Sequence, residues 1–504
     1  MHANNNNPAA PDIRNLTNRQ RIRAILGACS GNLVEWYDFF IYAYTSIYFA
    51  ALFFPQGDQT TQLLATAGIF AVGFFMRPLG GWIFGYLADT RGRKFSMIIS
   101  VFLMCGGSLM IAVLPTYESI GMAAPVLLLV ARLMQGLSVG AEYGTGATYI
   151  SEISRKGKRC FFGSFQYFTI IAGQLLALLT VVVLQNVLPI EELKAWGWRI
   201  PFFIGAVSAL VVVYLRRSML ETAHAQGAKH KEAGSIKALM KHKKAVLLTI
   251  AITAGCSLHF YTFSTYMQKY LVVSAGFDPS TVSFIMTAAL VVFMCLQPVF
   301  GMMADRIGSR NSMIAFGLLS SLLIVPLLTG LKSVSNPYEA FALVMLGLLI
   351  AAFYTPVTGV LKADLYPATV RALGVGLPYA LGNALCGGTA EYVALSLRGA
   401  GVESYFYYYV AAMSAITLLA AVLMPDLRKH GYLDGTGAVE EHTGPARWPC
   451  VLQRSGLSSG LGSLGGCPDI FMIVLPGAAA SSKCSIDCWR RGTKLWHMNE
   501  PHLS

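Results

Sequence analysis

Ionisable side chains stand in the middle of long apolar runs in this sequence. Glu35 and Asp38 share the first run, about one helical turn apart; Arg77 lies deep in the second, Arg132 and Glu142 in the fourth, and Glu391 in the eleventh. A charge at the centre of a bilayer costs about 2.5–3.5 kcal/mol on insertion scales, so such groups face a cavity and find partners. Taken singly, each is compatible with a structural ion pair. Charges of both signs at depth, in a chain with only 12% charged residues, point to a path for a solute and protons. Arg77 carries the most information about the solute. A guanidinium stays protonated and offers planar donors that fit a carboxylate. Asp38 is the titratable counterpart, and a proton-sensitive Asp38–Arg77 pairing would couple protonation of one to release of the other for an anionic substrate. Arg132, Glu142, Glu35 and Glu391 are further candidates for proton coupling.

Other polar residues fall at similar depth. His259, in the seventh run, reads either as a proton relay or carboxylate partner, or as a histidine held by a neighbouring hydroxyl. Tyr261 and Tyr266 follow it and are expected to line the cavity, with Gln166 and Gln174 of the fifth run as further candidates. Lys269 and Lys362 lie near run ends and are expected to snorkel.

One charged signature occurs twice. G-Y-L-A-D-T-R-G-R-K runs from Gly85 to Lys94, and G-M-M-A-D-R-I-G-S-R runs from Gly301 to Arg310, 216 residues later. Each closes an apolar run. Gly85 permits close approach of another helix, Gly92 and Gly308 permit tight turns, and Arg93, Lys94 and Arg310 hold the loops on one side of the membrane. Asp89 is placed to meet the amino terminus of a neighbouring helix or arginines across the half, and Asp305 is its counterpart in the second loop. Such a loop either clasps two halves together, favouring an outward-open state, or merely sets topology. The duplicated spacing favours the clasp, and it implies two similar halves.

The elements that carry these residues must be membrane helices. Hydrophobic residues make up 55% of the 504, and 12% charged residues is well below the roughly 25% of soluble domains. Twelve apolar runs approach or exceed the ~20 residues that a spanning helix needs. They cover 23–54, 61–88, 95–114, 123–151, 161–188 and 200–215, then 244–273, 279–304, 311–330, 339–362, 372–397 and 404–424. The expected organisation is a lead at 1–22, a six-helix bundle at 23–215, a basic linker at 216–243 with a possible amphipathic surface helix, a second bundle at 244–430, and a tail at 431–504 expected to be disordered. The fold class is an all-α membrane protein of twelve transmembrane helices in two six-helix halves, the major facilitator fold.

The net charge of +13 is distributed asymmetrically. Arg14, Arg19, Arg21 and Arg23, the Arg91–Lys94 loop, Arg155 to Arg159, and the linker from Arg216 through Lys229 and Lys231 to Lys244 all fall on one side. The opposite loops hold little beyond Lys194, Lys332 and Arg398. This places both termini in the cytoplasm, and basic residues that punctuate apolar runs do not suggest nucleic acid as a partner. The polar start gives no sign of a cleaved signal peptide. Cys29, Cys105, Cys160, Cys256, Cys295 and Cys386 read as small buried apolar residues. In the tail, Cys484 and Cys488 beside Cys450 and Cys467 lack convincingly spaced further ligands, so no metal and no cofactor is expected. Gly136, Gly140 and Gly144, four apart on the fourth run, read as a close-packing face.

Four stretches, G-N-L-V-E-W-Y-D-F (31–39), R-L-M-Q-G (132–136), W-G-W-R-I-P-F (196–202) and the loop at 85–94, resemble the metabolite:proton symporters of the major facilitator superfamily. G-A-E-Y-G-T-G-A-T-Y-I-S-E (140–152), F-Y-T-F-S-T-Y-M-Q-K-Y-L (260–271) and G-G-T-A-E-Y-V-A-L-S-L (387–397) are most similar to its bacterial α-ketoglutarate-carrying branch. The resemblance spans about residues 20–430. It implies a monomeric, multi-pass protein of the cell inner membrane that imports 2-oxoglutarate, a dicarboxylate, by proton symport. It implies that Asp89 and Arg93 matter for transport, and that Arg77 and Arg199 are substrate or structural charges. Arg91 stands where that branch has a histidine, so a proton role there does not carry over. Ser309 replaces a basic residue in the second loop, which implies a weaker clasp. The same fold carrying citrate, shikimate or a zwitterion such as proline or betaine is the nearest alternative. A non-transporting sensor would show a folded signalling domain, an ATP-driven pump would need a P-loop, and an enzyme a nucleophile or metal constellation. None is evident in the sequence.

Overall fold

The computed structural model describes residues 17–55, 59–217 and 234–433, and every regular element among them is helical. Lipid offers the backbone no hydrogen bonds, so each apolar run must satisfy its own amides, and a helix does this within one segment. The first six passes are α1 (Asn18–Phe53), α2 (Gln59–Arg91), α3 (Arg93–Val113), α4 (Ala123–Ile153), α5 (Arg159–Val187) and α6 (Ile200–Arg217). The second six begin with α7, built from Lys243–Tyr261 and Met267–Val273 around a π turn at Thr262–Tyr266. Then come α8 (Pro279–Ile307) and α9 (Ser309–Ser333). α10 comprises Pro337–Ala352 and Thr358–Asp364, and α11 comprises Arg371–Gly382, a π turn at Asn383–Gly387 and Ala390–Gly399. α12 (Ser404–Leu423) closes the set. The twelve expected runs therefore all correspond to helical passes.

Large apolar side chains such as Phe75, Tyr214, Phe284 and Leu322 point outward, while Glu35, Asp38, Arg77 and Arg132 are buried. This arrangement suits a hydrocarbon solvent. The ends of the passes define two faces. One carries Asn18, the Gly92 and Gly308 turns and the end of α12, and is called here the terminus face.

Three passes depart from the uninterrupted helices expected. α10 breaks at 353–357, where Pro356 supplies no N–H, and α7 and α11 each contain a π turn. Arg216 and Arg217, expected in the linker, instead extend α6. The expected surface helix of the linker falls largely on residues 218–233, outside the described residues, as do Arg14, Lys229, Lys231, positions 1–16 of the lead and 434–504 of the tail with its four cysteines. Of the six remaining cysteines, Cys29, Cys160 and Cys256 are buried, Cys105 and Cys386 are partly so, and Cys295 is exposed, contrary to expectation.

Glycines set the closest approaches. A Cβ at Gly136 would lie 2.3 Å from the Gly73 carbonyl oxygen, and one at Gly140 2.1 Å from that of Arg77, so α4 lies directly on α2. At Gly144 the close neighbour is Gly376 of α11, which brings the two halves together.

Candidate functional site

A cavity in the first half is lined by Glu35, Asp38, Arg77, Arg132 and Gln135, with Phe39 and Met104 among its apolar walls. The contact between α2 and α4 determines which side chains meet there. A directed chain of hydrogen bonds crosses the cavity. Arg132 Nη1 donates to Gln135 Oε1 at 2.6 Å, Gln135 Nε2 donates to Ser108 Oγ at 2.9 Å, and Ser108 Oγ donates to Asp38 Oδ2 at 2.6 Å. Asp38 Oδ1 and Glu35 Oε1 are buried without a hydrogen-bond partner among the described residues. Arg77 is held differently. Its guanidinium lies 3.9 Å from the Phe74 ring centre and 4.7 Å from that of Phe39, and its Nη2 has no hydrogen-bond partner among the described residues. The expected Asp38–Arg77 pair is thus replaced by an Asp38–Ser108 bond, with both charges on one cavity wall. Cation–π contact steadies a guanidinium while leaving its N–H donors available in the ring plane.

A second cavity adjoins the first. Glu35, Trp36 and Arg77 line it from one half, together with Val139, Gly140 and Tyr143, and Tyr379 and Ala380 line it from the other. The Tyr143 and Tyr379 rings stack across the halves with centres 3.4 Å apart and planes 11° from parallel. Lys362 Nζ reaches this stack, 4.6 Å from the Tyr379 ring centre and 3.4 Å from the Tyr143 hydroxyl. Lys362 is 1% exposed, so it does not snorkel outward. The α10 break and the lean of helical side chains toward their own amino terminus turn it into the protein. Sequence reasoning missed Lys362, Tyr143, Tyr379, Gln135 and Ser108. Pro356 was an available signal for a broken pass, and Gln135 lies three residues beyond Arg132 on the same face.

Several expected site residues lie elsewhere. Glu142 forms a buried ion pair with Arg216, and Ser100 Oγ donates to its other oxygen at 3.3 Å. Gly31 makes room for that guanidinium, which also donates to the Met97 carbonyl. Glu391 is partly exposed and pairs with Lys269, beyond the π turn toward the face opposite the termini. His259 is fully buried among second-half residues, with Nδ1 2.8 Å from Ser320 Oγ and Nε2 3.0 Å from the Gly347 carbonyl. A carbonyl only accepts, so Nε2 carries a proton. Arg199 donates to the Leu114 carbonyl at 2.9 Å and covers Trp198 near the same outer face. Gln166 donates to the Tyr143 carbonyl at 3.4 Å, and Gln174 lies 3.5 Å from the Tyr44 hydroxyl. Tyr261 packs edge-on toward Phe74 with its hydroxyl unpartnered, whereas Tyr266 packs with Tyr270 and Phe406.

The repeated loops meet the opposite halves by the same device. Asp89 accepts the backbone N–H groups of Ala372 at 3.1 Å and Leu373 at 2.9 Å, in the first turn of α11. Asp305 accepts those of Cys160 at 2.8 Å and Phe161 at 2.9 Å, in the first turn of α5. First-turn amides lack intrahelical acceptors and carry the positive end of the helix dipole. Gly92 and Gly308 sit at φ 113° and 99°, a region that favours glycine, so each loop can turn sharply after its aspartate. Gly85 abuts Leu373 directly. The first clasp has an added ionic layer that sequence reasoning did not identify. Glu152 accepts from Arg93 at 3.3 Å and from Arg371 at 2.8 Å, while Arg93 also contacts Asp89 at 3.2 Å. In the second loop Arg310 instead donates to the Ala421 and Val422 carbonyls at the end of α12. Lys94 lies partly buried beside the first turn. The terminus face is therefore closed between the halves.

Comparisons agree with this geometry. Residues 24–224 match the Sugar (and other) transporter family and 257–477 the Major Facilitator Superfamily. The chain is 57% identical over 406 residues to the alpha-ketoglutarate permease of Escherichia coli strain K12, covering 81% of this chain and 94% of that protein. It is 32% identical to the shikimate transporter of the same strain, covering 83% and 98%. Among solved structures, the proton:xylose symporter XylE matches with a TM-score of 0.66 at 18% identity, covering 81% of this chain and 96% of that one. This chain is a multi-pass membrane transporter belonging to the major facilitator superfamily.

Proposed function

We propose that the protein is a proton-coupled symporter that imports a dicarboxylate, 2-oxoglutarate, by alternating access. The observation that carries this reading is the 57% identity to an α-ketoglutarate permease along nearly its whole length. The site supports an anionic substrate, because Arg77 is buried, held on aromatic faces, and has an unused donor at a cavity wall. Asp38 and Glu35 supply carboxylates with a free oxygen each in the same cavity, and a proton arriving at Asp38 Oδ1 would leave the Ser108 bond to Oδ2 in place. Protonation there removes a negative charge beside the bound anion, which links the two loads.

Energetics favour coupling. A dianion entering a negative interior is opposed by about 2.3 kcal/mol per charge per 100 mV. Two protons neutralise that load, and a third would let the potential contribute.

In this reading the first half runs through the end of α6 at Arg217 and the second over 244–430, with the terminus face in the cytoplasm of a cell whose inner membrane holds a monomer. The Asp89 and Asp305 clasps close the cytoplasmic side, so the described state is one that has yet to release inward. A second solute is favoured by the 32% identity to a shikimate transporter, also an acid carrier by name. Proteoliposomes with an imposed pH gradient decide. Labelled 2-oxoglutarate should accumulate, stop doing so when an ionophore collapses the gradient, and be displaced by unlabelled 2-oxoglutarate far better than by shikimate, citrate or proline. Accumulation that ignores the ionophore would end the symport reading.

A further inference from the structure

Lys362 is a buried basic side chain that pairs with no carboxylate among the described residues. Among the described residues its one hydrogen-bond neighbour is the neutral Tyr143 hydroxyl at 3.4 Å, and its Nζ lies 5.3 Å and 4.6 Å from the ring centres of Tyr143 and Tyr379. Asp364, two residues further along, accepts the Leu433 N–H at 2.7 Å, and Glu35 lines the cavity walled by Tyr143 and Tyr379 without bonding to Lys362 among the described residues. An ammonium this deep is costly unless it has an anionic partner for part of its cycle. Arg77 of the first half has an Nη2 donor without a hydrogen-bond partner among the described residues, and it lines the cavity walled by Tyr143 and Tyr379, whose rings Lys362 also reaches.

We propose that Lys362 is the second carboxylate-binding residue of the transport site, so that one dicarboxylate bridges Arg77 of the first half and Lys362 of the second. This rests on the substrate reading above and adds to it the residue that selects for two charges. A monoanion satisfies one cation and leaves the other buried and unpaired; a dianion satisfies both. Lys362 Nζ lies beside the edges of the stacked rings, 5.3 Å and 4.6 Å from their centres and 3.4 Å from the Tyr143 hydroxyl. Arg77 and Lys362 belong to different halves, so occupancy of both cations by one ligand is tied to the relative position of the halves.

The test compares 2-oxoglutarate with 2-oxopentanoate, which has the same chain length and lacks the distal carboxylate. Both are measured as competitors of labelled 2-oxoglutarate uptake, or of its exchange, in proteoliposomes. Loss of a charged hydrogen-bond partner should reduce the preference for the dicarboxylate about 10-fold or more in Lys362→Gln, with 2-oxopentanoate binding unchanged. Lys362→Arg should retain the preference. Equal weakening of both ligands, or no change in their ratio, overturns the proposal. Wild-type protein indifferent to 2-oxoglutarate overturns the substrate reading and this one together, whereas normal dicarboxylate preference in Lys362→Gln overturns this one alone. Should the variants fail to fold, the wild-type protein still decides. Acylation of Lys362 by an amine reagent, read by peptide mass spectrometry, should be slowed more by 2-oxoglutarate than by 2-oxopentanoate, and equal protection by the two overturns the assignment.

Discussion

The carboxylate of Asp89, at the end of α2, accepts the backbone N–H of Leu373 at 2.9 Å, and these two residues belong to opposite halves of the molecule. Asp305 repeats the arrangement with Phe161 at 2.9 Å. Both sets of bonds join the two halves across the terminus face. The first clasp is buried and backed by Arg93, Glu152 and Arg371, whereas Asp305 is only partly buried. Asp89→Asn should therefore weaken closure more than Asp305→Asn, since a charge-assisted bond at a partly buried helix amino terminus contributes up to ~2 kcal/mol. Spin labels at Arg91 and Lys429 should report longer distances in Asp89→Asn, with a smaller change in Asp305→Asn. Equal distance distributions would count against the clasp.

Glu152 neutralises two guanidinium groups at once. Removing its charge leaves Arg93 paired with Asp89 and takes the carboxylate partner from buried Arg371, and breaking a buried pair costs about 3–5 kcal/mol. Glu152→Gln should lower the unfolding temperature and slow uptake. Adding Arg371→Gln should cost less than the sum of the single changes, because the two residues share one network. Strict additivity in thermal unfolding would show that the pair is not coupled.

Asp38 terminates a one-way chain of donors that begins at Arg132. Asp38→Asn should abolish accumulation driven by a pH gradient while preserving exchange of labelled for unlabelled substrate, since exchange requires no net proton movement. Persistent gradient-driven accumulation in this variant would remove Asp38 from the coupling path.

Two glycines of α4 make opposite predictions. Gly140→Ala drives a methyl to 2.1 Å from the Arg77 carbonyl oxygen, and overpacking of this kind costs about 1–3 kcal/mol. It should also displace Arg77 and raise the apparent KM. Gly146 has nothing within 4 Å of an added Cβ, so Gly146→Ala should be neutral or stabilise by roughly 0.5–1 kcal/mol through helix propensity. Thermal unfolding and uptake kinetics on the two proteins provide the check.

His259 has both ring nitrogens engaged within the second half, and stacks near Phe263 and Phe316. His259→Gln should lower stability by about 1–3 kcal/mol, the cost of leaving a buried polar group unsatisfied. The ratio of protons to substrate should not change. A changed ratio, measured with a pH-sensitive dye alongside labelled substrate, would return His259 to the coupling machinery.

Length and hydropathy alone determined the twelve passes, because a membrane core admits few other backbones. The clasp was also legible: Asp89 and Asp305 act through glycine turns and charges written into ten consecutive residues. The burial of Glu35, Asp38, Arg77 and Arg132 followed from their places within apolar runs, whereas Glu391, expected within the eleventh run, is partly exposed. Rotation about the helix axis and breaks in the helix were not legible, and they decide which charges meet. Glu142 and Arg216 are 74 positions apart yet form an ion pair because Gly31 leaves space for the guanidinium. Lys362 looked like a membrane-edge residue until the break in α10 and its inward lean put it beside two stacked tyrosines from different halves. Such meetings depend on how packed surfaces interlock over the whole molecule, and no local stretch of sequence encodes that.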